Sequence, residues 1–167
     1  VKIYFEKDLY DIKELIASTD VNFVSNAYNI KGKGENLIFN VKNEQINVTG
    51  EKSELFLETT DMYSDGSIKV DNIAGSFYIK GPNSKLITDE IFITGFIING
   101  ILFNENGTRI ISQLEVQDEN MLNIVTEDTK MFSKKAFYDK EKSIIELFDN
   151  VKIIRGSEII TGDYGVL

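Results

Sequence analysis

The feature that most constrains this chain is a period of two in its apolar residues. Ile46 and Val48, for example, alternate with the polar residues Gln45, Asn47 and Thr49. Successive side chains of a β-strand point to opposite faces, so this alternation is typical of a strand with one buried face. Pairs of apolar residues with the same spacing recur, with a polar residue between the members in all but the first, second and fourth of the following: Leu37/Phe39, Leu55/Leu57, Ile68/Val70, Ile91/Ile93, Leu114/Val116, Leu122/Ile124, Ile145/Leu147 and Val151/Ile153. The chain is therefore predicted to consist of strands.

Composition and turn signals point the same way. The chain has 24 Ile, 10 Val and 10 Thr, against only 4 Ala and 11 Leu, and β-branched residues favour pleated surfaces. The dipeptides Asp65-Gly66, Asn99-Gly100 and Asn106-Gly107 predict hairpin turns. Further turns are predicted at 42–44, 81–83, 139–142 and 155–157. At about 11 residues for each strand and turn, we expect roughly 15 strands in one large antiparallel sheet or sandwich.

Near the N-terminus the pattern is ambiguous. Leu9, Ile12, Lys13 and Ile16 have helical spacing, with Asp8 as an N-cap, which predicts a helix over 8–18. The alternative is two short strands over 1–5 and 11–17 around a turn at 7–8. No linker or change in composition divides the chain, so residues 1–167 are predicted to form a single domain.

Several chemistries are excluded by composition. The chain contains no His, Cys or Trp and one Pro, so it has no imidazole base, no thiol nucleophile, no Cys/His metal site and no disulfide. With 18 Lys and Arg against 27 Asp and Glu, the net charge is −9, which argues against a nucleic-acid partner. Any catalysis would therefore have to use carboxylates, Lys, Tyr or a hydroxyl group.

The C-terminal region carries a recognisable repeat. It runs Ala136-Phe137-Tyr138-Asp139, then Ile145-Glu146-Leu147, Asn150-Val151, Gly156 and Ile160-Thr161-Gly162-Asp163. Residues 28–50 give a weaker second copy, in which 39–50 aligns with 138–149 at an offset of 99. Residues 134–165 resemble the OstA-like repeat of the LptA–LptC family of lipopolysaccharide-transport proteins. Asp149 departs from the family pattern, which usually has Gly at that position.

The resemblance implies an antiparallel β-jellyroll of repeated hairpin units, folded into an open V like a taco. It also implies a periplasmic carrier of the outer-membrane export route that is not an enzyme, has no cofactor or metal, and holds acyl chains of lipopolysaccharide in an apolar groove. Other Lpt-type β-jellyroll proteins would join it end to end by strand pairing, and a homo-oligomer is a further alternative. Because the chain begins at Val1, we expect an export signal or N-terminal anchor to have been removed. Whether the chain is LptA-like or LptC-like stays open.

For such a groove the lining must be apolar, and its headgroup contacts must be cationic. Candidate headgroup contacts are Lys130, Lys134 and Lys135, from a local basic cluster. The predicted lining residues are Phe39, Ile46, Val48, Leu55, Leu57, Ile91, Ile93, Leu114, Val116, Leu122, Ile124, Tyr138, Ile145, Leu147, Val151 and Ile153.

Two other functions are compatible with the same residues. The first is a structural or interaction module, a β-solenoid whose closed core has no lipid site. The second is a carbohydrate-binding sandwich that uses carboxylates and an exposed aromatic residue such as Tyr63. A closed interior would favour the first, and loss of sugar binding on substitution of Tyr63 would favour the second.

Overall fold

A computed structural model describes every residue from Val1 to Leu167 and contains strands but no helix. Its 15 strands are β1 Lys2–Phe5, β2 Ile12–Ser25, β3 Ile30–Asn40, β4 Gln45–Thr49, β5 Ser53–Phe56, β6 Asp61–Ser64, β7 Ser67–Asp71, β8 Ser76–Lys80, β9 Lys85–Ile87, β10 Phe92–Thr94, β11 Ile97–Glu105, β12 Thr108–Val125, β13 Thr129–Asp139, β14 Ile144–Arg155 and β15 Glu158–Val166. All of the pairings are antiparallel within one sheet. The predicted fold class and approximate strand number are confirmed.

At the N-terminus, the two-strand alternative is correct and the helix predicted over 8–18 is wrong. β1 pairs with β2, so that Lys2 lies opposite Ile16 and Phe5 opposite Ile12. In β2, Leu15 and Ala17 are half-buried and lie opposite inward-facing residues of β3. Alternation with a period of two therefore decides the conformation of this segment, because it places one face of β2 against the core.

The sheet is folded into two layers, here called layer A and layer B. Layer A has the order β1-β2-β3-β4-β7-β8-β11-β12-β13-β14-β15. Layer B has the order β2-β3-β5-β6-β9-β10-β12-β13-β14-β15. The long strands β2, β3, β12, β13, β14 and β15 belong to both layers, whereas each shorter strand belongs to one. The chain thus passes repeatedly from one layer to the other.

Long strands bend where they change layers. The pairing register shifts between Ser18 and Val21 in β2 and between Phe148 and Val151 in β14. Both bends contain two consecutive residues with positive φ, Thr19 and Asp20 at 70° and 52°, and Asp149 and Asn150 at 63° and 56°. Register shifts in β12 and β13 mark the same line. Bulges of this kind increase bending and twist, so the sheet folds along one line, which we call the vertex.

Short connections complete the vertex. Gly50 N–H donates to the Gly66 carbonyl at 2.9 Å, and Gly81 N–H donates to the Phe96 carbonyl at 2.9 Å. These hydrogen bonds join successive corners where the short strands pass between layers. Three buried serines, Ser53, Ser64 and Ser84, also lie at the corners. The hydroxyl of each one donates a hydrogen bond to a backbone carbonyl. The backbone polar groups of the vertex are therefore paired although the chain turns sharply there.

Two of the predicted hairpin turns are wrong. Asp65-Gly66 connects β6 in layer B to β7 in layer A, and these strands are not paired with each other. Asn99-Gly100 lies inside β11, where the ring of Phe77 occupies the space beside the glycine. By contrast, Asn106-Gly107 joins the paired strands β11 and β12 as predicted. Glycine permits a turn, a layer crossing or a close approach, so the dipeptide alone does not distinguish them.

The internal repeat has a structural counterpart. Residues 39–50 span the hairpin β3–β4, and residues 138–149 span the hairpin β13–β14, both in layer A. Gly50 and Asp149 end the two copies at the vertex with φ of 117° and 63°. A positive φ favours glycine, which is the residue at this position in the first copy but not in the second.

Candidate functional site

The space between the layers is filled mainly by apolar side chains. Twenty-six buried hydrophobic residues from both layers form one core cluster. Leu55, Leu122 and Leu147 are examples with no exposed surface. On the side opposite the vertex, the layers end in separate loops. The side opposite the vertex therefore offers an opening into the interior.

One cavity of about 260 Å³ lies at this opening. Layer B contributes loop residues on either side of β6 and β9, including Thr60 and Ile91, and layer A contributes Ile111, Tyr138 and Ile145 from β12, β13 and β14. The remaining lining residues are Thr59, Thr88, Asp89, Glu90, Ile110, Leu114, Thr126 and Lys140. The opening has apolar walls with a polar rim, which is the usual composition of a small-molecule site.

Hydroxyl groups give the opening two distinct polar features. The Thr59 hydroxyl in layer B donates to the carbonyl of Arg109 in layer A, so it joins the two layers across the opening. The Thr60 hydroxyl is buried and has no hydrogen-bond partner. A buried hydroxyl without a partner is costly, and Thr60 lines the cavity. This group would gain a hydrogen-bond partner from a bound molecule only if the surrounding side chains moved to expose it.

Tyr138 is the aromatic residue of the opening. It is half-buried, and burial is the main cause that raises the pKa of its phenol, followed by the negative charges of Glu90 and Asp139. The phenol therefore stays neutral over the physiological range and can both donate and accept a hydrogen bond. Its ring offers an apolar surface on the inner side of layer A.

All sixteen predicted lining residues face the interior. Twelve are fully buried in the core cluster, and Phe39, Ile91, Tyr138 and Ile145 are partly buried and packed against it. Ile91, Tyr138 and Ile145 line the opening together with Leu114 from the buried set. The structure thus separates the predicted residues into a filled core and a smaller accessible set.

The sequence analysis missed most of the rim. Ile110 and Ile111 are adjacent, and both line the cavity because the register shifts between Ile101 and Leu102 on the paired strand. The sequence did contain a signal for these two rim residues, because a pair of adjacent apolar residues interrupts the period of two. Thr59 and Thr60 had no comparable signal, since a pair of threonines is also typical of an ordinary turn.

The three candidate headgroup lysines are not brought together. Lys130 is exposed and lies opposite Val125 and Ile154 on the outer face of layer B. Lys135 belongs to layer A, where its ammonium is 3.1 Å from Glu115 and 4.6 Å from the centre of the Phe137 ring. Lys134 lies at the bend between them. Proximity in sequence does not produce one cationic patch, because β13 changes layers at this point.

A larger concave surface of about 940 Å³ lies on the outer face of layer A. Lys69, Tyr78, Asn99 and Phe137 form one row across its strands. Its carboxylates are engaged within the protein, as in the ion pair of Asp139 with Lys142 at 3.0 Å. Most of this surface faces away from the interior, but Leu114 and Tyr138 line both it and the opening.

The two ends of the sheet have unpaired strand edges. β15 pairs only with β14, and it exposes Ile159, Ile160 and Tyr164 by 62%, 60% and 55%. At the other end β1 is also exposed, including Ile3 and Tyr4. Such edges leave backbone donors and acceptors available to another strand.

Because the chain forms no helix, it has no helical segment that could span a membrane. No group of three or more acidic, histidine or cysteine side chains has an arrangement that could hold a metal ion.

Comparison with known proteins identifies a related fold but no close relative in sequence. No protein-family model and no curated protein sequence matches the chain. The structure is similar to the crystal structure of LptH from Pseudomonas aeruginosa, the LptA homologous periplasmic component of the lipopolysaccharide transport device. The TM-score is 0.53 at 16% identity, over 64% of this chain and 73% of LptH. The antiparallel β-jellyroll of the LptA type, predicted from residues 134–165, is therefore confirmed as the fold.

Proposed function

We propose that this protein is a non-enzymatic periplasmic lipid carrier that binds the acyl chains of lipopolysaccharide between its two layers. The observation that carries the proposal is the opening lined by Ile91, Tyr138 and Ile145, which leads into an apolar core within a fold of the LptA type. LptH, which shares this fold, is a component of a lipopolysaccharide transport device. The role would be in the same export route.

The energetics favour an apolar container without catalytic groups. Each methylene left in water costs about 0.8 kcal/mol, so an acyl chain of about a dozen carbons would cost on the order of 10 kcal/mol. The surface of Ile91, Ile111 and Ile145 at the opening would remove part of this cost. The cavity of about 260 Å³ is below the usual range of about 300–1,000 Å³ for ligand sites. We therefore expect the layers to separate when a chain enters.

The hydrogen bond between Thr59 and Arg109 spans the opening, so separation of the layers would break it. Such a bond contributes about 1 kcal/mol net, which a few buried methylenes would offset. Thr59→Val is therefore expected to ease lipid uptake while it leaves the core unchanged.

The same proposal includes end-to-end pairing with other Lpt-type β-jellyroll proteins to form an export bridge, or with a second copy of this chain. In layer B, residues 158–162 of β15 and 21–25 of β2 are the terminal strand segments and run in opposite directions. Two molecules placed in line could therefore pair these segments antiparallel. Addition of a strand to an exposed edge is a common mode of association.

A photo-crosslinking experiment tests lipid binding. The photo-reactive residue p-benzoylphenylalanine replaces Tyr138, which faces the opening, or its neighbour Phe137, which faces outward. The protein is irradiated in a host that produces lipopolysaccharide, and the products are probed for lipopolysaccharide. Crosslinking at position 138 but not at 137 is expected. Equal crosslinking, or none at either position, would contradict the proposal.

The alternative of an interaction module with a closed core is also supported by one observation. Twelve of the sixteen predicted lining residues are already buried against each other, which is what a closed sandwich requires. This alternative predicts that neither crosslinking position captures lipid, and that the edge strands still associate with partners.

A further inference from the structure

The outer face of layer B differs in charge from the protein as a whole. Its outward residues include five exposed lysines, Lys31, Lys33, Lys85, Lys130 and Lys152. Only two acidic residues, Glu54 and Asp61, point outward from the strands of this face. The strand face thus has a net charge of 5 − 2 = +3 within a chain of net charge −9.

Most of these lysines have no ionic partner in the protein. Lys33 is 3.1 Å from Glu54, whereas Lys31, Lys85, Lys130 and Lys152 form no ion pair. They come from four strands, β3, β9, β13 and β14, so their common orientation arises from the sheet and not from a local run of sequence. Four unpaired cations on one face of an acidic protein indicate a partner with negative charge.

Apolar side chains fill the spaces between these lysines. One row across the paired strands of layer B contains Lys31, Phe56, Asp61, Ile87, Phe92, Val125, Lys130, Ile154 and Ile159. Phe92 and Ile87 are half-buried and lie opposite each other in the middle of this row. The neighbouring row places Tyr63 beside Lys85 and Phe132 beside Lys152. The face thus has aromatic and aliphatic surface interspersed with cations.

We propose that the outer face of layer B docks on an anionic phospholipid bilayer. Lysines near an anionic membrane surface contribute on the order of 1 kcal/mol each, and aromatic residues favour the interface between water and hydrocarbon. The outer face of layer A has the opposite balance. Its strands present six acidic residues against four lysines, namely Glu14, Asp71, Glu105, Glu115, Asp139 and Glu146 against Lys2, Lys69, Lys80 and Lys135. The difference between the two faces would orient the protein with layer B toward the membrane, whether or not the interior holds a lipid.

Vesicle sedimentation with the full chain tests this docking. Vesicles of phosphatidylcholine with about one third phosphatidylglycerol are compared with vesicles of pure phosphatidylcholine at low salt. The variant Lys85→Gln/Lys152→Gln removes two layer B lysines. The control Lys69→Gln/Lys80→Gln removes two exposed layer A lysines, which also form no ion pair. Urea unfolding verifies that both variants are folded.

Binding to the anionic vesicles and not to the neutral ones is expected. The layer B variant should bind about 30-fold more weakly, since about 1 kcal/mol for each of two lysines corresponds to about fivefold each. The control variant should bind at least as well as the unmodified protein. Equal weakening by both variants, or no binding to anionic vesicles, would overturn the proposal.

Orientation provides an independent readout. Because the chain has no cysteine, a single environment-sensitive fluorophore can be attached at Thr94→Cys on layer B or at Asn99→Cys on layer A. Only the layer B probe should shift to shorter wavelength on anionic vesicles. A shift of both probes, or of the layer A probe alone, would contradict docking through layer B.

Discussion

Gly100 offers a sharp test of how side chains pack on the inner face of layer A. It lies inside β11, directly opposite Phe77 of β8, and both residues are buried. A Cβ added at Gly100 would clash with Cζ and Cε1 of the Phe77 ring, and even Cε2 would be only 2.9 Å away. Carbon atoms normally contact at about 3.5–4.0 Å. An aromatic ring that covers a strand glycine in this way substitutes for the missing side chain.

Gly100→Ala is therefore expected to destabilise the protein. Displacing the Phe77 ring in a filled core costs about 1–3 kcal/mol, and the lower backbone entropy of alanine offsets about 0.5–1 kcal/mol of this. We expect a net loss of about 1–2 kcal/mol in the free energy of unfolding. Phe77→Leu alone should also destabilise, because it leaves a void above the glycine.

The double variant Gly100→Ala/Phe77→Leu distinguishes this explanation from a general intolerance of the site. In the absence of the ring, the added methyl group fills space, so the two losses should not add, and the coupling should be about 1–2 kcal/mol. Urea denaturation at constant m-value measures all three variants. The control is Gly162→Ala in β15, where a Cβ meets only ordinary contacts at 3.5 Å or more. An unchanged Gly100→Ala protein, or strictly additive losses, would refute the argument.

Three further predictions concern stability. Asp149→Gly should stabilise the protein by up to about 1 kcal/mol in urea denaturation, because φ at this exposed residue is 63° and the left-handed region penalises residues with a side chain; a loss would indicate that the carboxylate has a structural role. Leu147→Ala removes a side chain with no exposed surface and should lower the free energy of unfolding by about 2–5 kcal/mol in the same assay. A smaller loss would indicate that the two layers move together and fill the cavity left by the substitution. A hydrogen bond from Thr129, and next one from Arg155, lower the pKa of Asp128 in the folded protein. The ionised carboxylate therefore contributes to the stability of the fold above the unfolded pKa of about 3.9, and this contribution is lost as the pH falls through the lower folded pKa. In Asp128→Asn the loss of stability between about pH 5 and pH 2 should be shallower than in the unmodified protein, and an identical pH profile would contradict this assignment.

Much of the fold was predictable because its signals are local. A period of two identifies a strand and its inward face without reference to any partner, so all sixteen predicted lining residues do face the interior. Hairpins with a strong turn signal, such as Asn106-Gly107, were predictable for the same reason. The resemblance of residues 134–165 to a known repeat then indicated the β-jellyroll, which the structural similarity to LptH confirms.

The site depended on information that is not local. Alternation indicates which face of a strand is buried. It does not indicate which layer the strand joins, because the pairing partners of a strand depend on the arrangement of the whole sheet. Asp65-Gly66 therefore looked like a hairpin although it crosses between layers, and Lys130 and Lys135 looked like one cluster although a bend separates them.

The sequence by itself determined an acidic, all-β chain with an apolar inner face and without His or Cys chemistry. Tertiary structure decided where that face is accessible, at Ile91, Tyr138 and Ile145, and which lysines share an outer surface. The physical reason is that side-chain direction follows from the local backbone. Neighbours in space follow from antiparallel pairing between strands distant in sequence.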